Sequence, residues 1–511
     1  MRDNEKRHWA DLIAEQIIKE RGKKSKYVCA AGITPSGTIH IGNFREIITV
    51  DLVCRALKDK RKNVRFIYSW DDYDRFRKVP KNMPKQDALK KYLGMPIVDT
   101  PDVFGCHKSY AEHLEKELEE SLPDTGIKPE FIYQHKMYRT CRYAEEIKYI
   151  LNKRDEIKNV LDKYRKEHLP EDWFPIGIYC EKCKTDNTRV VNYDGNYNVK
   201  YECRCGYSNG IDFRKKGIVK LSWRADWPMR QHMEKVDFEP AGKEHYQQPG
   251  GSRITANETY FVLYKDMKHP IDLKYDFVIV KGIGGKMSSS LGNVITLKDC
   301  LEVYEPEIVR FLFAGTRPNT EFAISFDLDA IKIYEDFDRL EEKYYSKKAD
   351  ERDKRIYELS SINLKKIRPK RIGFRHLTML VQIQSDVKKI SKNKDILKRA
   401  ECARNWIEKY APDEFKFRVH EKIPQEIMKK LNDKQKESLK SLAIELGKKK
   451  YDEENLFNEF YEICKTTEIS NVDFFRGAYL ALIGKEKGPR LAGFILAIGK
   501  EKVIKLFGEI K

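Results

Sequence analysis

Between residues 26 and 70 the hydrophobic period switches from that of a strand to that of a helix and back. Residues 26–33 (KYVCAAGI) are a short apolar run of strand length. Thr34, Pro35, Ser36 and Gly37 then make a turn. From residue 42 to 57 the apolar side chains Phe44, Ile47, Ile48, Leu52, Val53 and Leu57 recur at helical spacing. Residues 64–70 (VRFIYSW) read as a second strand. Strand, glycine turn, helix and strand form a βαβ unit, which belongs to an α/β domain with a parallel sheet.

The turn carries chemistry. Residues 34–43 read TPSGTIHIGN and run into the first turn of the helix, where unpaired N–H groups and the positive dipole end suit phosphate. Gly37 and Gly42 let a nucleotide approach the backbone. His40 and Asn43 add side-chain donors, which would stabilise negative charge growing on an α-phosphate. A second donor-rich segment, residues 281–292, reads KGIGGKMSSSLG. Gly282, Gly284 and Gly285 give it conformational freedom, Lys286 brings a cation, and Ser288, Ser289 and Ser290 bring hydroxyls. Such a loop can close over a triphosphate and neutralise the departing pyrophosphate. Taken singly, these segments are a helix cap and a surface loop.

Between the two motifs the pattern breaks. Residues 101–212 are charged and irregular and hold most of the clustered Cys and His, as an insertion would. Strand-like runs return at 218–223 and 277–280, and are expected to complete the same sheet. After about residue 325, long charged stretches with helical periodicity, such as 329–345 and 436–450, run through the rest of the chain, with sparse Gly and Pro. The net charge of +19, with basic residues spread along the whole length, suits a phosphate-rich partner and equally a heat-tolerant surface. Residues 1–10 are charged and no run of about 18 apolar residues occurs, so the expectation is a cytoplasmic chain with no membrane span. Four of the 11 cysteines cluster, which fits a reducing compartment and a metal site, not a disulfide framework.

The motif pair carries a family resemblance. TPSGTIHIGN resembles the HIGH signature of class I aminoacyl-tRNA synthetases and KMSSS resembles their KMSKS signature, in the same order and about 250 residues apart. Residues 32–46 (GITPSGTIHIGNFRE), 69–80 (SWDDYDRFRKVP), 101–113 (PDVFGCHKSYAEH), 221–230 (LSWRADWPMR) and 242–252 (GKEHYQQPGGS) are similar to the lysine branch, the class I lysyl-tRNA synthetases. That resemblance covers nearly the whole chain. It implies an α/β, Rossmann-type parallel-sheet catalytic domain, a zinc-bearing insertion and an all-α C-terminal anticodon-binding region. The expected divisions are 1–100 and 216–300 for the two catalytic halves, 101–215 for the insertion, 301–345 for a stem-contact linker and 346–511 for the anticodon domain. Two positions depart from the general class I signatures. Asn43 stands for the second histidine and still donates, while Ser289 stands for the second lysine and leaves Lys286 as the loop's main cation.

The implied substrates are ATP with Mg2+, L-lysine and tRNA(Lys). His40, Asn43, Lys286 and Ser288 are expected to act in catalysis. Thr34, Pro35, Ser36, Gly37, His40, Gly42, Asn43, Lys286, Met287 and Ser288 are expected around ATP. A desolvated ammonium needs a carboxylate, an aromatic face or several acceptors. Asp72 and Asp74 follow the second strand, where such sheets bind ligands, and Asp72 is expected in the lysine pocket, with the ammonium's own partner left open. The resemblance adds Gly32, Thr34, Trp223, His245 and Tyr275 to the lysine pocket. Each of these also reads as an ordinary fold residue.

Cys180-x2-Cys183 and Cys203-x-Cys205 are two knuckle-like pairs separated by turn residues, and their four thiolates suit tetrahedral structural zinc. Asp102, Cys106, His107 and His113 stand within twelve residues, and the resemblance supports a second zinc there. Three other readings compete: a class I synthetase for cysteine or glutamate, a zinc-bearing RNA-binding protein without catalysis, and a small-molecule nucleotidyltransferase. The intact motifs oppose the second, and the long basic helical region opposes the third.

Overall fold

The computed structural model describes residues 7–265, 268–281, 294–384 and 386–510. Helix α1 (Trp9–Arg21) precedes strand β1 (Tyr27–Ile33), helix α2 (Ile41–Asp59) and strand β2 (Val64–Trp70), the expected βαβ unit. The α2 residues Phe44, Ile47, Ile48, Leu52, Val53 and Leu57 are all fully buried, as their spacing requires. The insertion region contributes α3 (Tyr110–Ser121), β3 (Glu130–Tyr133), β4 (Ile176–Ile178), β5 (Thr188–Tyr193), β6 (Asn198–Cys203), β7 (Ser208–Asp212) and β8 (Val219–Leu221). Then come α4 (Trp223–Met233), β9 (Phe238–Gly242), α5 (Ser252–Leu263), β10 (Ile271–Tyr275), β11 (Val278–Lys281), α6 (Leu297–Val303), α7 (Pro306–Ala314) and β12 (Phe322–Ser325).

The central sheet has five parallel strands in the order β10-β9-β1-β2-β3. One expectation is corrected here. Residues 218–223 do not return to this sheet, because β8 pairs antiparallel with β4. Residues 277–280 do not either, because β11 pairs with β12 in a separate two-stranded ribbon. The returning strands are β9 and β10. Their sequences, FEPAG and IDLKY, hold too few apolar residues for a hydrophobic-run criterion to find them.

By contact density the chain divides into two units, one of residues 1–301, 306–325 and 340–366, the other of 302–305, 326–339 and 367–511. The second is helical throughout. Its core takes Leu439, Leu442, Leu456, Phe460, Phe474, Leu482, Phe494 and Val503 from successive amphipathic helices. Asn432, Asp452 and Ser470 cap three of these through side-chain oxygens, each cap contributing about 1 kcal/mol. No helix among the described residues is long and apolar enough to cross a membrane.

Candidate active site

The site gathers where β1 ends and α2 begins. His40 is the N-cap of α2: its Nδ1 accepts from Gly42 N–H at 3.1 Å, and its own N–H donates to Asn43 Oδ1 at 3.1 Å. An accepting Nδ1 puts the imidazole proton on Nε2. Burial lowers the ring's pKa, so at neutral pH His40 is a neutral donor. Asn43 thus spends its oxygen on the cap and keeps its NH2 group. Thr34 Oγ1 donates to Asp74 Oδ2 at 3.1 Å. Pro35 and Gly37 are buried in the turn, whereas Ser36 is exposed.

Lys286, Met287, Ser288 and Ser289 lie outside the described residues. The chain on both sides of them is described. Upstream, β11 ends at Lys281 against Ser325. Downstream, Ile295 accepts from Ile41 N–H at 2.7 Å and Thr296 bridges His40. The segment after the KMSSS motif is therefore hydrogen-bonded to the HIGN turn itself.

Beside this turn lies a cavity of about 60 Å³, lined among others by Gly32, Glu46, Asp71, Trp223, Glu239 and His245. Gly32, Trp223 and His245 were expected in the lysine pocket. Gly32 is tightly confined, since a Cβ there would meet the Ser69 carbonyl oxygen at 2.8 Å. Its N–H donates to Glu46 Oε1 at 3.0 Å, and the Tyr275 hydroxyl donates to Glu46 Oε2 at 2.8 Å. Tyr275 thus reaches the cavity through Glu46. Burial pushes the Glu46 carboxyl up to about 8, against the opposing pull of those two donors. Trp223 stacks on Trp227 with ring centres 4.9 Å apart. His245 sits 5.7 Å from Trp223, accepts or donates at Nδ1 with Ser252 Oγ at 2.7 Å, and is held neutral by burial.

Sequence reasoning missed the cavity's carboxylates. Asp72 is fully buried but turned away: one oxygen accepts His135 N–H at 2.7 Å and the other meets His135 Nδ1. Its neighbour Asp71 lines the cavity and takes the Arg230 guanidinium in a two-toothed pair at 2.5 and 3.1 Å. Glu239 Oε2 accepts from Trp227 at 2.9 Å, from Arg253 at 3.3 Å and from Gln231. Glu46 carried a usable signal, being an acidic residue beside the apolar stripe of α2, six residues beyond His40. Glu239 and Asp71 carried none. Behind them, Lys220 bridges Asp226 at 2.9 Å and Asp74 at 3.2 Å, a buried network that fixes the Thr34 turn against α4.

Two further clusters hold metal-ligating atoms. The Sγ atoms of Cys180, Cys183, Cys203 and Cys205 all lie within 4.8 Å of one another, with Cys180–Cys205 at 3.8 Å and Cys183–Cys203 at 3.5 Å. Gly206, at φ 83°, makes the C-x-C turn possible. Asp102, Cys106, His107 and His113 converge in the same way. Asp102 accepts N–H bonds from Phe104, Cys106 and His107 at 2.8–3.0 Å, which outweigh burial and hold its carboxyl down to about 2. Four thiols in the first cluster, and a thiol, two imidazoles and a carboxylate in the second, fit tetrahedral zinc at these separations.

Residues 7–363 match the family described as tRNA synthetases class I (K), and residues 386–505 match an anticodon binding domain. The chain belongs to the class I (K) tRNA synthetases. The lysine–tRNA ligase of Borrelia garinii subsp. bavariensis is 50% identical to it over 98% of both chains. That of Treponema pallidum is 44% identical over 97% of both, and that of Pyrococcus horikoshii 41% identical over 98% of both. As a class I synthetase the chain is an ATP-using enzyme that aminoacylates tRNA. The parallel sheet, the HIGN turn and the helical C-terminal unit are the parts of that fold seen here.

Proposed function

We propose that this chain is a lysine–tRNA ligase whose amino-acid pocket is the small cavity between Glu46, Glu239 and the Trp223–Trp227 pair. The carrying observation is charge inside that cavity. Its lining carries three carboxyls, Glu46, Asp71 and Glu239, against one guanidinium, Arg230, which also pairs with Asp226. An ammonium entering here would meet more carboxyls than bases. The cavity measures about 60 Å³, and the paired indoles of Trp223 and Trp227 form one wall of it. Glu46 is the ammonium's partner in this reading, ionising when the cation arrives, and the indole faces cover the alkyl stem.

The lysine carboxylate attacks the α-phosphorus of ATP in line, the bond to the β,γ-phosphates breaks, and lysyl-adenylate and pyrophosphate result. A ribose hydroxyl of the terminal tRNA adenosine then attacks the adenylate carbonyl, and AMP leaves. Mg2+ accompanies the triphosphate. Nε2–H of His40 donates to the phosphate oxygens as charge grows there, and the α2 N-terminus adds backbone donors. Thr34, Pro35, Ser36, Gly37, Gly42 and Asn43 form the floor for the nucleotide. Lys286, Met287 and Ser288, which lie outside the described residues, are the groups expected to meet the departing pyrophosphate. No side chain serves as a nucleophile, so rate comes from positioning and charge stabilisation. Cys180, Cys183, Cys203 and Cys205 would hold one zinc, and Asp102, Cys106, His107 and His113 a second. With four protein ligands each they serve structure. The expected divisions 1–100, 101–215, 216–300, 301–345 and 346–511 and a cytoplasmic location complete the reading.

The test is ATP–pyrophosphate exchange with each of the twenty amino acids. Exchange that depends on lysine is expected. Exchange driven by cysteine or glutamate and not lysine would overturn the assignment.

A further inference from the structure

A second cavity, of about 520 Å³, opens on the edge strand β10 and shares no lining residue with the cavity above. Its wall is built by α1, β10, the turn after α7 and the helix Glu351–Ser360. His8 docks the N-terminal segment there, because its Nε2 bonds the Ala314 carbonyl at 2.9 Å and its Nδ1 accepts from Ala10 N–H. Burial lowers its pKa to about 4, so this link is uncharged. The turn is pinned from beneath by Arg45 of α2, whose guanidinium donates to the carbonyls of Phe277, Arg317, Pro318 and Thr320 at 2.8–3.1 Å. The cavity rim is therefore rigid and tied to the catalytic helix.

The lining has one sign of charge. Lys274, Arg317 and Arg352 stand on it from three separate segments, and no Asp or Glu among the described residues lines it. All three are exposed and form no ion pair with the described residues. Trp9 lines the same space, and its buried indole N–H has no acceptor among the described residues. Cations spread along an open rim, next to an aromatic ring and an orphaned donor, fit phosphates linked in a chain better than a single enclosed anion.

We propose that this cavity receives the phosphodiester backbone of the RNA substrate, with Lys274, Arg317 and Arg352 neutralising phosphates; it rests on the tRNA-charging reading above. Lys274 adjoins Tyr275, whose hydroxyl holds Glu46, so RNA seated here would touch the strand that shapes the amino-acid pocket.

The experiment measures tRNA affinity as a function of salt for the full chain and for a Lys274→Ser/Arg317→Ser/Arg352→Ser variant. Each lost phosphate contact lowers the slope of log affinity against log salt by about 0.7–0.9. The variant should lose about 2 units of slope and bind at least tenfold more weakly at low salt. Thermal unfolding at the parent's midpoint verifies the fold. Slope and affinity equal to the parent's would overturn the proposal. Calorimetry with inorganic phosphate alone separates the other source. If the variant loses phosphate binding but keeps the parent's RNA slope, the cavity serves a free anion and the RNA assignment falls. Lysine-dependent exchange by the parent chain tests the underlying reading independently, since that assay does not depend on these cations.

Discussion

In the proposed amino-acid pocket, Glu46 would tie lysine binding to pH. Its folded pKa is raised from the ordinary 4.5 to about 8, so the folded chain holds this proton where the unfolded chain has lost it. Its contribution to stability therefore falls as pH rises from 4.5 towards 8. An ammonium ligand reverses the preference by favouring the carboxylate. Lysine binding against Glu46, as proposed, would then expel a proton below pH 8. The KM for lysine in pyrophosphate exchange should fall roughly tenfold per pH unit between 6 and 7 and flatten near 8. Glu46→Gln should raise KM and remove the dependence, and a parent profile flat from 6 to 8 would show that Glu46 does not meet the ammonium. His40 carries two duties on one ring. His40→Ala deletes the cap, at about 1 kcal/mol of stability, and also the Nε2 donor, at about 10²–10³-fold in exchange kcat. His40→Asn can restore the cap. A melting temperature recovered in that variant, with kcat still low, would separate the duties.

The insertion with the cysteine cluster is where sequence spacing spoke most clearly. C-x2-C and C-x-C are short loops whose thiol geometry is set within a few bonds, and the four Sγ atoms do converge. The βαβ unit was equally legible, because α2 buries the residues its period selects. The amino-acid cavity was only half legible. Trp223, His245 and Gly32 came from resemblance, whereas Asp71 and Glu239 depend on which way β2 and β9 turn their ends, a property of sheet register that no local pattern carries. Strand β9, with Pro240 at its middle, hid for the same reason: burial between neighbours, not propensity, makes it a strand. Val190, Val199, Tyr201 and Ile211 of the β5–β6–β7 sheet join a larger buried cluster with Ile150, Ile178 and Met229, while its cysteine-bearing turns, with four converging thiols, should depend on bound metal for their order. Elemental analysis should find about two zinc ions per chain for two four-ligand sites, and Cys183→Ser should leave one. Retention of both ions in that variant would remove Cys183 from the ligand set.

At the scale of the whole molecule, the proposed activation site falls in the α/β unit, and a surface for unpaired bases is proposed here in the helical one. The α/β unit holds the HIGN turn and the amino-acid cavity. The helical unit, matched as an anticodon binding domain, has its own cavity of about 940 Å³, lined by Phe415, Phe417, His376, Lys487 and Arg490 among others. Lys487 and Arg490 form no ion pair with the described residues, and aromatic rings beside free cations suit unpaired bases and their phosphates. Base stacking on an aromatic ring contributes about 1–3 kcal/mol. Phe417→Ala is blunted as a test, because Phe417 also packs edge-on against Phe494 at 5.2 Å. The exposed pair is cleaner. Lys487→Ser/Arg490→Ser should raise the KM for tRNA in aminoacylation about tenfold, as the loss of two phosphate contacts implies at moderate salt. The KM for lysine and ATP in exchange should stay at the parent's values, since neither reactant meets this unit. If tRNA KM is unmoved, the helical cavity does not hold RNA. If the lysine and ATP constants move with it, the two units do not divide the reaction in this way, and activation senses the helical unit directly.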